Sequence, residues 1–297
     1  MKALVTGGAG FVGSHLCQAL SERGHDLRIL DLKRAPSKRP PRGAEYIQGS
    51  MADETCAARA VQGVEVVYHL AWSFYTSNER HELQENLLGT LNLLAAALEA
   101  GVKHFIFASS AVVYGPTGSS RAGETHACHP ERSTLGGSLY GLGKWAAERL
   151  CLLYHRRGLP ATAFRMHGVF GPGKLGQFDE MIRKALANET LRVNPSAGGE
   201  YAHIADAVGA YAWAMGHRRA FGQVFNLAGT HTYHDKELAQ WIIGVATSSS
   251  PIEWAEEPAE AMISVNLAKL KRYGYAPVKG EFLTGLIRDA IHSRGDG

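Results

Sequence analysis

The chain has 297 residues, 45% of them hydrophobic and 20% charged, which suits one large α/β unit with a smaller lobe and argues against long disorder. Its 31 Lys and Arg against 28 Asp and Glu leave a formal net charge of only +3, too little without clustering for a nucleic-acid binder. No apolar stretch is long enough to span a bilayer and no signal-peptide pattern precedes the first strand, so a soluble, cytoplasmic protein is expected, and no membrane partner. The four cysteines, Cys17, Cys56, Cys128 and Cys151, form no Cys-x-x-Cys pair and read as free thiols of a reducing compartment. One basic run, residues 33–42 (KRAPSKRPPR), is Pro-rich and reads as a solvated loop.

Residues 2–6 are a short apolar run that stops at glycines. Residues 11–23 carry apolar side chains at helical spacing (Phe11, Val12, Leu16, Ala19, Leu20), and Gly24 ends that helix. The next apolar run, 27–30, ends at Asp31. A strand is expected over 64–70, a leucine-rich helix over 83–100 stopped by Gly101, and a buried strand over 104–109. A helix over 139–157 ends at Gly158, and strands follow over 161–165 and 223–227. Strand and helix in alternation predict an α/β fold, a Rossmann-type doubly wound parallel sheet covered on both faces. After about residue 170 the pattern loosens (GPGKLG, NPSAGG), and from His231 short helices alternate with one short strand. We therefore expect a dinucleotide-binding domain over 1–170 with a returning segment at about 200–228, and a smaller C-terminal substrate lobe from 171–199 and 229–297.

The segment between the first strand and the first helix, TGGAGFVG, has glycines at 7, 10 and 13. Gly7 permits a tight turn, Gly10 lets the backbone approach a pyrophosphate, and Gly13 lets the helix pack closely on the strand. The helix start at Phe11 and Val12 then offers unpaired N–H groups to phosphate. Asp31 ends the second strand about twenty residues on, where a carboxylate binds the adenosine ribose hydroxyls and repels a 2′-phosphate. The cofactor expected is NAD, with Lys33 and Arg34 leaving room for a phosphate on the ribose.

Tyr140 and Lys144 stand four apart at the start of the 139–157 helix, on one face. An ammonium beside a phenol favours the phenolate, and moving that pKa from about 10 to about 7 takes roughly 4 kcal/mol. The result is an acid/base group suited to neutral pH. Ser110, just past the buried strand HFIFAS, is placed to hydrogen-bond a substrate oxygen at the carboxyl end of the sheet. His126, Cys128 and His129 look like a metal cluster, but the spacing is too tight for usual zinc patterns and no metal is expected.

With these segments in hand, the sequence resembles the extended short-chain dehydrogenase/reductase family, in its NAD-dependent epimerase/dehydratase group. TGGAGFVGSHL resembles the cofactor turn, HLAW the fourth-strand motif beside the cofactor, NLLGTLNLL the helix that begins with an asparagine, SSAVVYG the catalytic serine segment, and YGLGKWAAERL the catalytic helix. FRMHGVFGPG, YAHIADA, FNLAG and GYAP resemble later landmarks. The resemblance implies cofactor contacts from Leu70, Ala71 and Asn86. It also implies Tyr140 exchanging the hydroxyl proton, Lys144 holding the nicotinamide ribose, and Ser110, chosen over Ser109 by its spacing to Tyr114, binding the substrate oxygen. Hydride would pass between substrate carbon and nicotinamide. A homodimer through the helices at 83–100 and 139–157 is also implied, though core packing alone explains their apolar faces equally well.

Departures from the family pattern bear on the substrate. Ala111 and Val112 stand where dehydratases carry an Asp-Glu pair, which argues against 4,6-dehydration. Gly168 stands where many nucleotide-sugar enzymes have Asn, and Gly199, followed by Glu200, where many have an Arg aimed at a pyrophosphate. The acidic stretch IEWAEEPAEAMISVN supplies no further Arg, so strong bidentate phosphate contacts are missing. Lys174 and Arg192 are the cations placed to compensate, with solvated surface the plainer reading of each, and His203 reads as a structural hydrogen-bonder. Trp72, Ser73 and His167 are candidate substrate contacts, with strand-end packing or a rim position as the plainer alternatives. The expected activity is NAD-dependent oxidation, reduction or epimerisation of a secondary alcohol or ketone in a sugar or nucleotide sugar. The alternative is a reductase or dehydrogenase of a non-nucleotide ketone or alcohol. A non-catalytic dinucleotide sensor would have no use for a tuned phenol.

Overall fold

The structure is a computed structural model that describes residues 1–33, 41, 43–74, 78–117, 120–133, 137–176, 178–255, 263–277 and 283–295. All of the basic run 33–42 except Lys33 and Pro41 lies outside the described residues. In chain order, β1 (Lys2–Thr6), α1 (Phe11–Glu22), β2 (Asp26–Asp31), β3 (Glu45–Gln48), α2 (Glu54–Val61) and β4 (Val66–His69) come first. Next are α3 (Glu79–Leu83), α4 (Gly89–Glu99), β5 (His104–Ser110), α5 (Gly137–Arg156), β6 (Ala161–Met166), β7 (Val169–Phe170) and α6 (Phe178–Leu186). Then follow β8 (Leu191–Val193), β9 (Gly198–Gly199), β10 (Ala202–His203), α7 (Ile204–Ala214), β11 (Gln223–Leu227), β12 (Tyr233–His234), α8 (Asp235–Val245), β13 (Ile252–Trp254), α9 (Ala268–Arg272) and α10 (Leu283–Gly295).

Seven strands form one parallel sheet in the order β11-β6-β5-β4-β1-β2-β3. Side chains alternate between its faces. Leu4, Val67, Phe105, Phe107 and Ala163 join a core with residues of α2, α4 and α5. Val5, Ile29, Val66, Tyr68, Ile106, Phe164 and Phe225 join a second core with α1 and α7. Both faces are thus buried, as near-continuous apolar strands require, and the doubly wound expectation is met. A third core unites Phe170, Phe178, Ile182, Leu191, Val193, Leu238, Ile242, Leu283 and Ile287, from the late segments. Strand order reverses between β1 and β4, so a crevice opens at their carboxyl ends, where ligands bind in such sheets.

Several elements differ from the sequence expectation. The helix expected over 83–100 is α3, then a π-helical turn over Gln84–Leu88, then α4. The wider turn carries Asn86 to a buried position, and the Thr90 hydroxyl donates to the Asn86 carbonyl at 2.5 Å. The edge strand β3 was not anticipated: it is four residues long and buries fully only Ile47. Beyond His231 the described residues include two short strands rather than one, because β12 and β13 pair with β9 and β8 from earlier in the chain. No helix among the described residues is long and apolar enough to cross a membrane. All four cysteines are free.

Candidate functional site

The crevice begins at the glycine turn. Gly7 has φ of +69°, which disfavours any other L-residue, and a Cβ there would lie 2.8 Å from the Ala71 backbone. A Cβ on Gly13 would lie 2.2 Å from the Gly7 carbonyl, so α1 could not pack as it does. At Gly10 the nearest atom to such a Cβ is the Gly7 carbonyl at 3.1 Å. Gly10 caps α1 with no side-chain hydrogen bond, and no acidic side chain lies in the first turn. The N–H groups at Phe11, Val12 and Gly13 are therefore the open donors that a helix start presents to an anion. Asp31 lies partly buried beside this turn, accepting from Ala9 N and Lys33 N at 3.0 Å each. The cradle fits a dinucleotide: glycine backbone for the pyrophosphate, and a carboxylate at the end of β2 for the ribose.

The opposite wall follows β4. The Thr6 hydroxyl receives Ala71 N at 3.1 Å and bonds His69 Nδ1 at 2.9 Å, while His69 Nε2 bonds the Thr90 hydroxyl at 2.8 Å. Burial, helped by the nearby Lys144 charge, pushes the His69 ring down to about 3, so it is neutral and locks the turn after β4. Leu70 and Ala71 line this wall as backbone. Asn86 has its amide engaged on Ser73: it accepts from Ser73 N at 2.7 Å and donates to Ser73 O at 2.9 Å. The side chain thus shapes the segment after β4, and Ser73 is part of that same tie.

The helix α5 brings the third wall. Tyr140 and Lys144 are one turn apart on it. The Lys144 ammonium is buried, donates to the Ala108 carbonyl of β5 at 2.7 Å, and stands 3.8 Å above the Trp72 ring. Burial sets its pKa well below the usual ammonium range. Tyr140 packs edge-on to Trp72, centroids 6.3 Å apart, and stacks on Phe74 at 5.3 Å. Gly143 makes room for this: a Cβ there would lie 3.1 Å from Trp72 Cζ2. Trp72 is therefore the platform on which both side chains rest.

Ser110 ends β5, two residues beyond the carbonyl that holds Lys144. It is buried, and its hydroxyl accepts from Val112 N at 3.3 Å. Its neighbour Ser109 points elsewhere, donating to Glu148 at 2.8 Å. Glu148 lies one turn beyond Lys144 and is bonded by Arg165 of β6 at 2.9 and 2.7 Å, with both side chains buried. Burial works against the Arg165 cation, but the Glu148 hydrogen bonds and charge outweigh it and raise its pKa further. This pair fastens α5 to the sheet directly under Tyr140 and Lys144. Nothing in the spacing of Glu148 and Arg165 announced the contact, since the two come from different elements.

The side beyond β6 is built differently. His167 follows β6, and its ring fills the space over Gly199, where a Cβ would lie 2.3 Å from the ring. That ring stands edge-on to Tyr201 at 5.5 Å, and a Cβ on Gly168 would lie 3.0 Å from Tyr201. The room vacated at 168 and 199 is taken by aromatic rings. His167 Nδ1 is buried and has no hydrogen-bond partner among the described residues. Burial lowers its pKa, so the ring is neutral, though Glu200 and the Ile263 carbonyl pull the other way. Glu200, 1% exposed, accepts from Arg121 at 3.1 Å, Thr232 at 3.2 Å, Ser264 at 2.7 Å and Val265 N at 3.1 Å. The sequence marked Glu200 only by what it lacked; four partners scattered along the chain make it a junction.

Other sequence candidates sit apart. His203 caps α7, its Nδ1 accepting from Ala205 N at 3.1 Å, as a structural hydrogen-bonder would. Arg192 forms an exposed pair with Glu253 at 3.7 Å. His129 bonds Glu131 at 3.2 Å, and the Cys128 thiol approaches the His126 carbonyl at 3.9 Å.

The sequence profile of the NAD dependent epimerase/dehydratase family matches residues 3–228. The chain is 32% identical over 266 residues to the UDP-N-acetyl-alpha-D-glucosaminuronate decarboxylase of Bacillus cytotoxicus, covering 84% of this chain and 82% of that one. It is 34% identical over 196 residues to a 3 beta-hydroxysteroid dehydrogenase/Delta 5-->4-isomerase of Mycobacterium tuberculosis, covering 62% of this chain and 51% of that one. The UDP-glucose 4-epimerase of Thermus thermophilus, solved with NAD, superposes with a TM-score of 0.83 at 26% identity, over all of both chains. Glycine cradle, strand order and profile agree: the chain belongs to the NAD-dependent epimerase/dehydratase family and is an NAD-dependent enzyme of the extended short-chain dehydrogenase/reductase type.

Proposed function

We propose that the enzyme moves a hydride between NAD and a secondary carbinol carbon of a sugar or nucleotide sugar, using Ser110, Tyr140 and Lys144. The observation that carries this reading is the seating of Lys144: a buried ammonium, fixed by the Ala108 carbonyl, one helical turn from Tyr140 and two residues along β5 from Ser110. NAD, when bound, supplies the hydride acceptor. Gly7, Gly10, Phe11, Val12 and Gly13 hold its diphosphate, Asp31 its adenosine ribose, and Leu70 and Ala71 flank it. Tyr140 takes the hydroxyl proton at its phenolic oxygen as the carbinol is oxidised and returns it on reduction. Burial makes the Lys144 proton easier to lose, and while Lys144 is protonated its charge favours the phenolate at Tyr140. Ser110 donates a hydrogen bond to the substrate oxygen and fixes it within reach of the phenol. Trp72 and Phe74 exclude water from that side. Ala111 and Val112 cannot transfer a proton, which favours redox or epimerisation over dehydration.

A second reading, a non-nucleotide alcohol or ketone, is favoured by the wall beyond β6. Its rings His167 and Tyr201 carry no charge, and the cation in contact with Glu200, Arg121, is already paired with that carboxylate at 3.1 Å. One of the relatives above is a hydroxysteroid dehydrogenase by name, which fits that reading. The purified enzyme, supplied with NAD(H), sugars, nucleotide sugars and small ketones, separates the two. Turnover of nucleotide sugars alone supports the first, turnover of uncharged ketones alone the second, and no isomerisation or change in cofactor absorbance with any of them rejects both.

The lobe division at about 170, with 200–228 returning to the sheet, accords with β11 in the sheet and with the separate core under α6, α8 and α10. Two copies associate, in this proposal, through α4 and α5, where Leu91 (38%), Leu142 (39%) and Trp145 (38%) are exposed together with Leu88 (43%) just before α4. Sedimentation velocity checks it, with a dimer expected and a monomer at micromolar concentration opposing it. Free thiols accord with a cytoplasmic setting.

A further inference from the structure

We propose that Lys174 is a cation for the diphosphate of the bound dinucleotide, delivered by the turn at residues 171–174. The sequence left this lysine between solvated surface and a contact to a substrate pyrophosphate, but its turn is built against the cofactor cradle. Gly171 N donates to the Lys174 carbonyl at 2.9 Å, and Lys174 N to the Gly171 carbonyl at 3.0 Å. Pro172 and Gly173, the latter with φ of +86°, occupy the two central positions, the residue types a type II turn selects. The turn rests on the first residue of α1. A Cβ on Gly171 would lie 3.4 Å from Phe11 Cζ and 2.3 Å from Ile204 Cγ2, so a larger residue would lift the turn away.

The Lys174 ammonium stands 5.5 Å from the Phe11 ring centroid. Phe11 opens the helix whose first N–H groups face the crevice, so ring and ammonium together extend the positive end of α1. Among the described residues no carboxylate forms an ion pair with Lys174. A helix start carries about half a positive charge, against the two negative charges of a diphosphate. An exposed lysine held over that start supplies the remainder, and the ring guides it without consuming its charge.

The proposal rests on the family cofactor and not on the role of Tyr140, and its test reads binding without turnover. The full-length enzyme, Lys174→Met and Lys174→Arg are titrated calorimetrically with NAD, ADP-ribose and adenosine. We expect Lys174→Met to weaken NAD and ADP-ribose by about tenfold, with adenosine unchanged and Lys174→Arg near the parent. The loss shrinks in high salt. Unchanged NAD affinity in Lys174→Met overturns the proposal. So does an equal loss for adenosine, which would make the lysine a packing element of the turn.

Discussion

The two sides of the cleft are made of different material. The cofactor side is backbone: glycines that cannot carry a Cβ, open N–H groups of α1, and a carboxylate tied to Ala9 and Lys33. The wall beyond β6 is side chain: two aromatic rings filling the places of missing atoms, and a buried Glu200 gathering four donors from three parts of the chain. Backbone sites tolerate little variation and hold one ligand, whereas side-chain walls can be rebuilt for a new substrate while the cofactor half stays fixed. Between them, α5 belongs to both, clamped to the sheet by Glu148 and Arg165 and presenting Tyr140 to the opening.

This contrast can be broken at several points. The largest effect is expected at the junction of the two sides, where Tyr140→Phe should lower turnover by about a thousandfold with NAD affinity unchanged, as steady-state kinetics and calorimetry would show. Next, Glu148→Ala leaves the Arg165 cation buried without its partner and should cost about 3–5 kcal/mol, a fall in melting temperature of roughly ten degrees. On the cofactor side, Gly13→Ala forces a Cβ to 2.2 Å from a carbonyl and should cost about 1–3 kcal/mol in stability, with NAD binding weakened by up to about a hundredfold.

Acid should loosen the wall at β4. His69 titrates at about 3 in the fold against 6.5 when exposed, so between those values the unfolded chain binds the extra proton. Stability from this ring is complete above pH 6.5 and falls as pH drops below it, by about 1.4 kcal/mol per unit. Melting curves at pH 7.5 and 5.5 should show a decline that His69→Gln reduces. The smallest effect is expected at Arg192→Ala, whose pair with Glu253 is exposed and 3.7 Å long, worth under about 0.5 kcal/mol. A larger change would mean that the lobe surface around β8 bears on the site.

Why one side was readable in the sequence and the other was not follows from the same contrast. Gly7, Gly10 and Gly13 sit within one turn, and Tyr140 and Lys144 within one helical turn, so local spacing reports spatial proximity. The buried strands read correctly because both faces are covered and their apolar runs are unbroken. Glu200 depends on Arg121, Thr232, Ser264 and Val265, separations no periodicity encodes. The π-helical turn at 84–88 escaped because its leucines keep a helical rhythm while the backbone widens to bury Asn86. Gly168 and Gly199 read as missing contacts, and only the structure shows His167 and Tyr201 filling the space.

Deuteride transfer reads both the hydride path and the part the Tyr140 phenol plays in it. Enzyme loaded with NADH deuterated at nicotinamide C4 is mixed with a ketone substrate found in the screen, and product deuterium is followed for the parent and for Tyr140→Phe. Deuterium is expected at the carbinol carbon with the parent, and transfer about a thousandfold slower with Tyr140→Phe while the cofactor stays bound. Transfer at parental rate without the phenol would contradict that role for Tyr140.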